Sequence, residues 1–175
     1  MQSLKRSGML FIILLAVMAF PTVCMARSGG VQPSALLSAS APAVSDIKWV
    51  GKSASLPEAG KVNMVIFWNG VYSSSINALV SAEKIYQKYG PQGLVVLGIN
   101  DMGEDISVLL RVVSQKKISF SLGTGNGAVK AAELYGIRGV PAVILIDRGG
   151  NVVYVADGLN YSVEAELSSI IEGML

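Results

Sequence analysis

Histidine is absent from this chain of 175 residues, and cysteine occurs once, as Cys24. Without an imidazole the chain lacks the usual general base, the commonest metal ligand and the side chain that titrates nearest neutral pH. A single cysteine can close no internal disulfide and can build no two-cysteine redox centre. An excess of charge is missing too. Lys5 and Arg6 carry two of the fourteen basic charges and no acid precedes residue 27, so residues 27–175 hold twelve charges of each sign. That balance argues against nucleic acid or an anionic membrane surface as partner.

What is present begins with an address. Lys5 and Arg6 lead into twelve apolar residues, Met9 to Phe20, a length suited to a signal-peptide core and short for a membrane span. Pro21 breaks the run, and Cys24-Met25-Ala26 places small side chains where a signal peptidase needs them, so cleavage is expected after Ala26. Residues 1–26 are read as the signal peptide, with the periplasm as the expected destination. Two alternatives stay open: an uncleaved membrane anchor, and a lipoprotein acylated at Cys24, although Thr22 and Val23 rather than small residues precede that cysteine. Residues 27–45 are dominated by Ser, Ala, Gly and Pro, a composition expected to form a flexible tether. Residues 46–175 have the composition of one globular domain.

Within that domain strands and helices alternate. Asn63 to Trp68 and Leu94 to Ile99 are short apolar runs suited to buried strands. Between them a helix is expected from Ser73-Ser74-Ser75, read as N-cap candidates, to about Tyr89, with Ile76, Leu79, Val80 and Ile85 inward. A second helix is expected from Asp105 to about Gln115, with Ile106, Leu109, Leu110 and Val113 inward. A glycine-rich loop, Gly123 to Gly127, precedes a short helix from Ala128 to Tyr135. Ala142 to Ile146 and Val152 to Val155 read as a hairpin turning at Gly149-Gly150. Ser162 to about Met174 closes the chain, with Val163, Leu167, Ile170 and Ile171 on its apolar face. The expected class is an α/β sandwich with a mixed sheet.

These segments, in this order, resemble the thioredoxin fold, and specifically the exported TlpA-type (ResA-like) thiol–disulfide reductases, from about Ile47 to Leu175. VIFW at Val65–Trp68 looks like the strand entering the family's active site. LVVLGIND at Leu94–Asp101 and KISF at Lys117–Phe120 look like its next strand and the approach to its shorter helix. AAELYGIRGVPAVILIDRGGNVVY, Ala131 to Tyr154, follows the family's stretch around its cis-proline. The resemblance implies a thioredoxin-like α/β/α sandwich with a central mixed sheet, and a cis peptide at Val140-Pro141.

It also implies where the chemistry is missing. Counted forward from Phe67-Trp68, the family's Cys-x-x-Cys falls on Tyr72-Ser73-Ser74-Ser75. Its glutamate falls on Ala78, its helix-kinking proline on Val80, and the buried carboxylate of thioredoxins on Ile66. A serine hydroxyl cannot form a mixed disulfide, and Tyr72 cannot replace an attacking thiolate. Catalytic residues are therefore expected to be absent, with Tyr72, Ser73, Ser74 and Ser75 as vacant motif positions.

Other candidates are weaker. The three serines lack a histidine to activate them, and Lys84 and Lys88 lie well along the same helix; a third reading, that their hydroxyls and free amides bind an anion or a peptide carboxylate, stays open. G-x-G-x-G at Gly123–Gly127 lacks the P-loop lysine and the dinucleotide spacing. Asp101, Glu104 and Asp105 are explained by the preference of acids for helix N-termini, and Asp147 and Asp157 by turns. No metal and no cofactor is implied. The binding candidates are Trp68, Asn69, Gly70, Val71, Tyr72, Val140 and Pro141, expected to form a shallow, partly aromatic groove; a purely architectural role for the proline turn stays open beside it. The expected function is a non-catalytic module that takes an extended peptide or partner protein. Its alternatives are an oxidoreductase-family protein acting with a partner's cysteines, and a structural or assembly component.

Overall fold

The computed structural model describes residues 33–175. The expected signal peptide with Cys24, and residues 27–32 of the expected tether, lie outside the described residues. Six strands form one sheet: β1 (Lys48–Val50), β2 (Val62–Trp68), β3 (Leu94–Asn100), β4 (Ser121–Thr124), β5 (Ala142–Ile146) and β6 (Val152–Asp157), in the order β1-β4-β3-β2-β5-β6. The pairs β2–β3 and β3–β4 are parallel, while β1–β4, β2–β5 and β5–β6 are antiparallel. Four helices flank the sheet: α1 (Ser73–Tyr89), α2 (Ile106–Lys116), α3 (Asn126–Leu134) and α4 (Tyr161–Met174).

Alternation along the strands sends side chains to two cores. Met64, Ile66 and Trp68 of β2 face Leu79, Leu109 and Leu167, from α1, α2 and α4. Val65 and Phe67 face the other way, with Ala128 and Ala131 of α3. The central strands are mostly apolar because both faces are covered, and each fully buried aliphatic side chain contributes roughly 1.5–3 kcal/mol relative to exposure. The α/β/α sandwich with a mixed sheet is as expected. Gly98 in β3 makes room in the first core: a Cβ there would lie 2.4 Å from Leu122 Cδ2 and 3.3 Å from the Trp68 indole nitrogen.

Four expectations need correction. The edge strand β1 was not foreseen, because three residues carry too little periodicity. Gly123 and Thr124 belong to β4 rather than to a loop, and α3 begins at Asn126. In α2 the buried residues are Leu109 and Val112, while Ile106 and Leu110 are 43% and 53% exposed. That helix packs near the sheet edge against β1 and β4, so only a narrow stripe is covered.

The fourth correction concerns the tether, which is docked over its described part. Ser38 N–H donates to Val152 O (2.8 Å), Ala41 N–H to Gly150 O (2.8 Å) and Val44 N–H to Leu56 O (3.0 Å). The Tyr135 hydroxyl donates to Pro42 O at 2.8 Å, and Leu36, Ala41 and Val44 pack on the second core. Small side chains hid this order, since main-chain bonds rather than apolar bulk supply it. The strap also constrains α3. A Cβ on Gly127 would lie 2.5 Å from the backbone atoms of Ser45 and Asp46. Helix propensity alone makes Gly→Ala stabilising by about 1 kcal/mol. Here Gly127→Ala is expected to cost about 1–3 kcal/mol by overpacking, with faster amide exchange at Ser38, Ala41 and Val44. A more stable variant in urea unfolding would show that the strap is not held against α3.

Candidate functional site

The parallel strands β2 and β3 end side by side, with Trp68 opposite Asn100. Pairing of Phe67 with Ala142 brings Val140-Pro141 to that same end of the sheet. Ends of parallel strands are where loops converge into sites in open α/β sheets. The expected binding residues are thus brought together, though not all at the surface. Trp68 is fully buried in the first core and Asn69 is 2% exposed, whereas Val71 and Tyr72 are 65% and 55% exposed. Trp68 is therefore a core residue and no groove anchor, because the strand alternation that orients Ile66 inward orients it inward as well.

The serines do not cap α1. Its N-cap is Tyr72, with no side-chain bond to the helix. Instead Asn69 Oδ1 accepts from the N–H groups of Val71 (3.2 Å) and Tyr72 (3.3 Å), shaping the entry turn as Asn side chains do. Ser73 and Ser74 are exposed. Ser75 is buried, and neither its hydroxyl nor the Trp68 indole N–H has a hydrogen-bond partner among the described residues. Lys88 bonds Glu172 (3.0 Å) at the far end of α1, so it is no base for these hydroxyls.

A polar brace holds the entry turn from below. Gly70 N–H donates to Glu104 Oε2 at 2.7 Å, and the buried Asn100 donates to the same oxygen at 2.5 Å while accepting from Glu104 N–H. The Thr124 hydroxyl donates to the Glu104 carbonyl. Asn69 Nδ2 donates to Asp101 Oδ1 at 3.2 Å. Helix N-terminal preference explains Asp105, whose carboxylate caps Ser107 N–H, but Asp101 and Glu104 tie the ends of β2, β3 and β4 together. The signal for this brace was the polar exit of an otherwise apolar strand, Asn100-Asp101.

Burial, partly offset by the bond from Asn69, raises the Asp101 pKa above its ordinary value of 3.8. The native state then holds this proton more tightly than the unfolded chain, so the contribution of Asp101 to stability falls as pH rises from 3.8 through its native pKa. In Asp101→Asn the amide oxygen still accepts from Asn69 and the titration is gone. The melting temperature of the variant is expected to gain on the parent between pH 3.8 and 7, in paired thermal scans. A variant that loses ground over that range contradicts the assignment.

Val140-Pro141 is cis, as the resemblance implies; Leu56-Pro57 is also cis, which was not foreseen. Pro141 O accepts from Gly158 N–H at 2.8 Å. The N–H and C=O of Val140 make no hydrogen bond among the described residues, and its side chain packs on the second core. Among the described residues no group of three or more His, Cys, Asp or Glu is placed to hold a metal ion, and no helix is long and apolar enough to cross a membrane.

The fold matches known structures. The thioredoxin domain of a thiol-disulfide oxidoreductase from Bacteroides vulgatus superposes with a TM-score of 0.66 at 23% identity, covering 77% of this chain and 97% of that one. The fold is thioredoxin-like. A thiol:disulfide interchange protein from Bacteroides sp. gives a TM-score of 0.63 at 24% identity over 78% of this chain and 88% of that one. In sequence, the thiol-disulfide oxidoreductase ResA of Halalkalibacterium halodurans is 30% identical over 109 residues, 62% of this chain and 61% of that protein. The match thus spans about three-fifths of the length of this curated relative. No family model matches the chain. The likeness to ResA-like thioredoxin-fold proteins is borne out, and against it the thioredoxin-like domain described here contains no cysteine.

Proposed function

We propose that this chain is an exported, non-catalytic thioredoxin-like module that binds an extended polypeptide segment along Tyr72 and Val140-Pro141. One observation carries it: exposed Tyr72 shares an end of the sheet with Val140, whose peptide N–H and C=O are unbonded among the described residues. Free main-chain groups beside a strand end accept an added extended chain, and an exposed aromatic supplies a contact anchor. The leader-like residues 1–26 support export. The likeness to ResA supports, as the class of partner, polypeptides that carry thiols or disulfides, handled here without a thiol of the module's own.

The test is an NMR titration of the isotope-labelled chain with reduced, carboxymethylated α-lactalbumin as the unfolded probe. Shifts are expected at Val140 and Tyr72, and Tyr72→Ala is expected to weaken binding about fivefold, the effect of losing an anchor worth about 1 kcal/mol. Tyr72 suits this purpose better than Val140, whose side chain helps cover the second core. Shifts that spare Val140, or capture unchanged in Tyr72→Ala, would overturn the reading in favour of a structural role.

A further inference from the structure

We infer that a second site, between the start of α1 and the face of α2, binds the free C-terminal carboxylate of an aliphatic peptide. A crevice of about 320 Å³ opens there, bounded by the entry turn at Gly70, a volume at the small end of ligand sites. Its apolar wall comes from Ile76, Val108 and Val112, and its charge from Arg111 and Lys116.

Both cations face the crevice without an ion-pair partner among the described residues. The first turn of α1 carries no acid and no side-chain cap, and the N–H groups of Ser73 and Ser74 make no hydrogen bond among the described residues. Two full charges and a helix N-terminus therefore line one small space. The carboxylate nearest by, Glu104, is engaged by Gly70 N–H and Asn100, so it braces the wall and leaves both cations free.

The mixture of walls selects the ligand class. The planar fork of Arg111 matches a carboxylate, and the three aliphatic side chains match one or two apolar residues. A bare phosphate would leave the apolar wall unused, and an amidated chain end would leave the cations unpaired. The last residue of a peptide ending in Val or Leu offers both parts, a recognised mode of chain-end capture. The crevice adjoins the Tyr72–Val140 edge at Gly70 and Ser73 and takes a chain end where that edge takes an extended segment.

The probes are N-acetyl-Ala-Val-Leu as the free acid, the same peptide as the amide, and 4-methylpentanoate, each titrated into the labelled full chain. The free acid is expected to saturate, with shifts at Ser73, Asn77 and Val108, and to bind at least about tenfold tighter than the amide, the usual worth of a charge-assisted bond. Arg111→Gln, at an exposed position, is expected to weaken it about tenfold, while Lys117→Gln outside the crevice leaves it unchanged. Equal binding of acid and amide, indifference to Arg111→Gln, or no saturation by about 10 mM overturns the site. Binding of 4-methylpentanoate as tightly as the tripeptide overturns the peptide assignment.

Discussion

The double substitution Tyr72→Cys/Ser75→Cys, made with Cys24→Ser, is expected to form a reversible disulfide and to reduce insulin at least about tenfold faster than the uncatalysed reaction, the rate the parent is expected to match. Tyr72 is the N-cap of α1 and Ser75 its third residue, joined by Ser75 N–H to Tyr72 O at 3.1 Å. One such turn brings its Cα ends to less than about 7 Å, which overlaps the roughly 4.4–6.8 Å that a disulfide spans. Position 72 is exposed and position 75 buried, giving an accessible attacking thiol and a sheltered resolving one. The helix N-terminus favours the thiolate at the first position. At the second, a thiol replaces a hydroxyl that lacks a partner among the described residues, and thiols tolerate burial well. Ser75→Cys alone is expected to give a thiol without turnover. A double variant that folds and forms no disulfide would show that the entry turn has moved away from redox geometry.

Trp68→Ala is expected to cost about 3–5 kcal/mol, a large share of the roughly 5–15 kcal/mol by which domains are stable. The indole is fully buried in the first core with Leu79 and Leu122, beside Gly98. Trp68→Phe is expected to cost much less. It removes an N–H that has no partner among the described residues, relieving a desolvation penalty of about 1–3 kcal/mol against the lost packing. Denaturant unfolding of both variants separates the two effects. If Trp68→Ala were as stable as the parent yet bound peptide poorly, Trp68 would be a surface anchor after all.

Long apolar elements were legible in the sequence because their periodicity reports burial directly. The expectations for β2, β3, β5, α1 and α4 agree with the structure within a few residues. The face of α2 was misread because Ile106 and Leu110 are apolar and exposed, and periodicity cannot tell a covered stripe from an uncovered one. The strap over residues 38–44 escaped notice because Ser, Ala and Pro look like linker when their main-chain bonds are invisible. At the site, the vacancy at Tyr72 to Ser75 could be read by counting, since it concerns residue type. The burial of Trp68, the unpartnered Ser75 and the Glu104 brace depend on which strand ends meet, which no local pattern encodes.

A thioredoxin-like scaffold that binds without thiol chemistry turns over no disulfide. The most direct measurement of this is dithiothreitol-coupled insulin reduction by the purified chain, run beside Cys24→Ser. Both proteins are expected to match the uncatalysed rate. Turnover above that rate which persists in Cys24→Ser would contradict it.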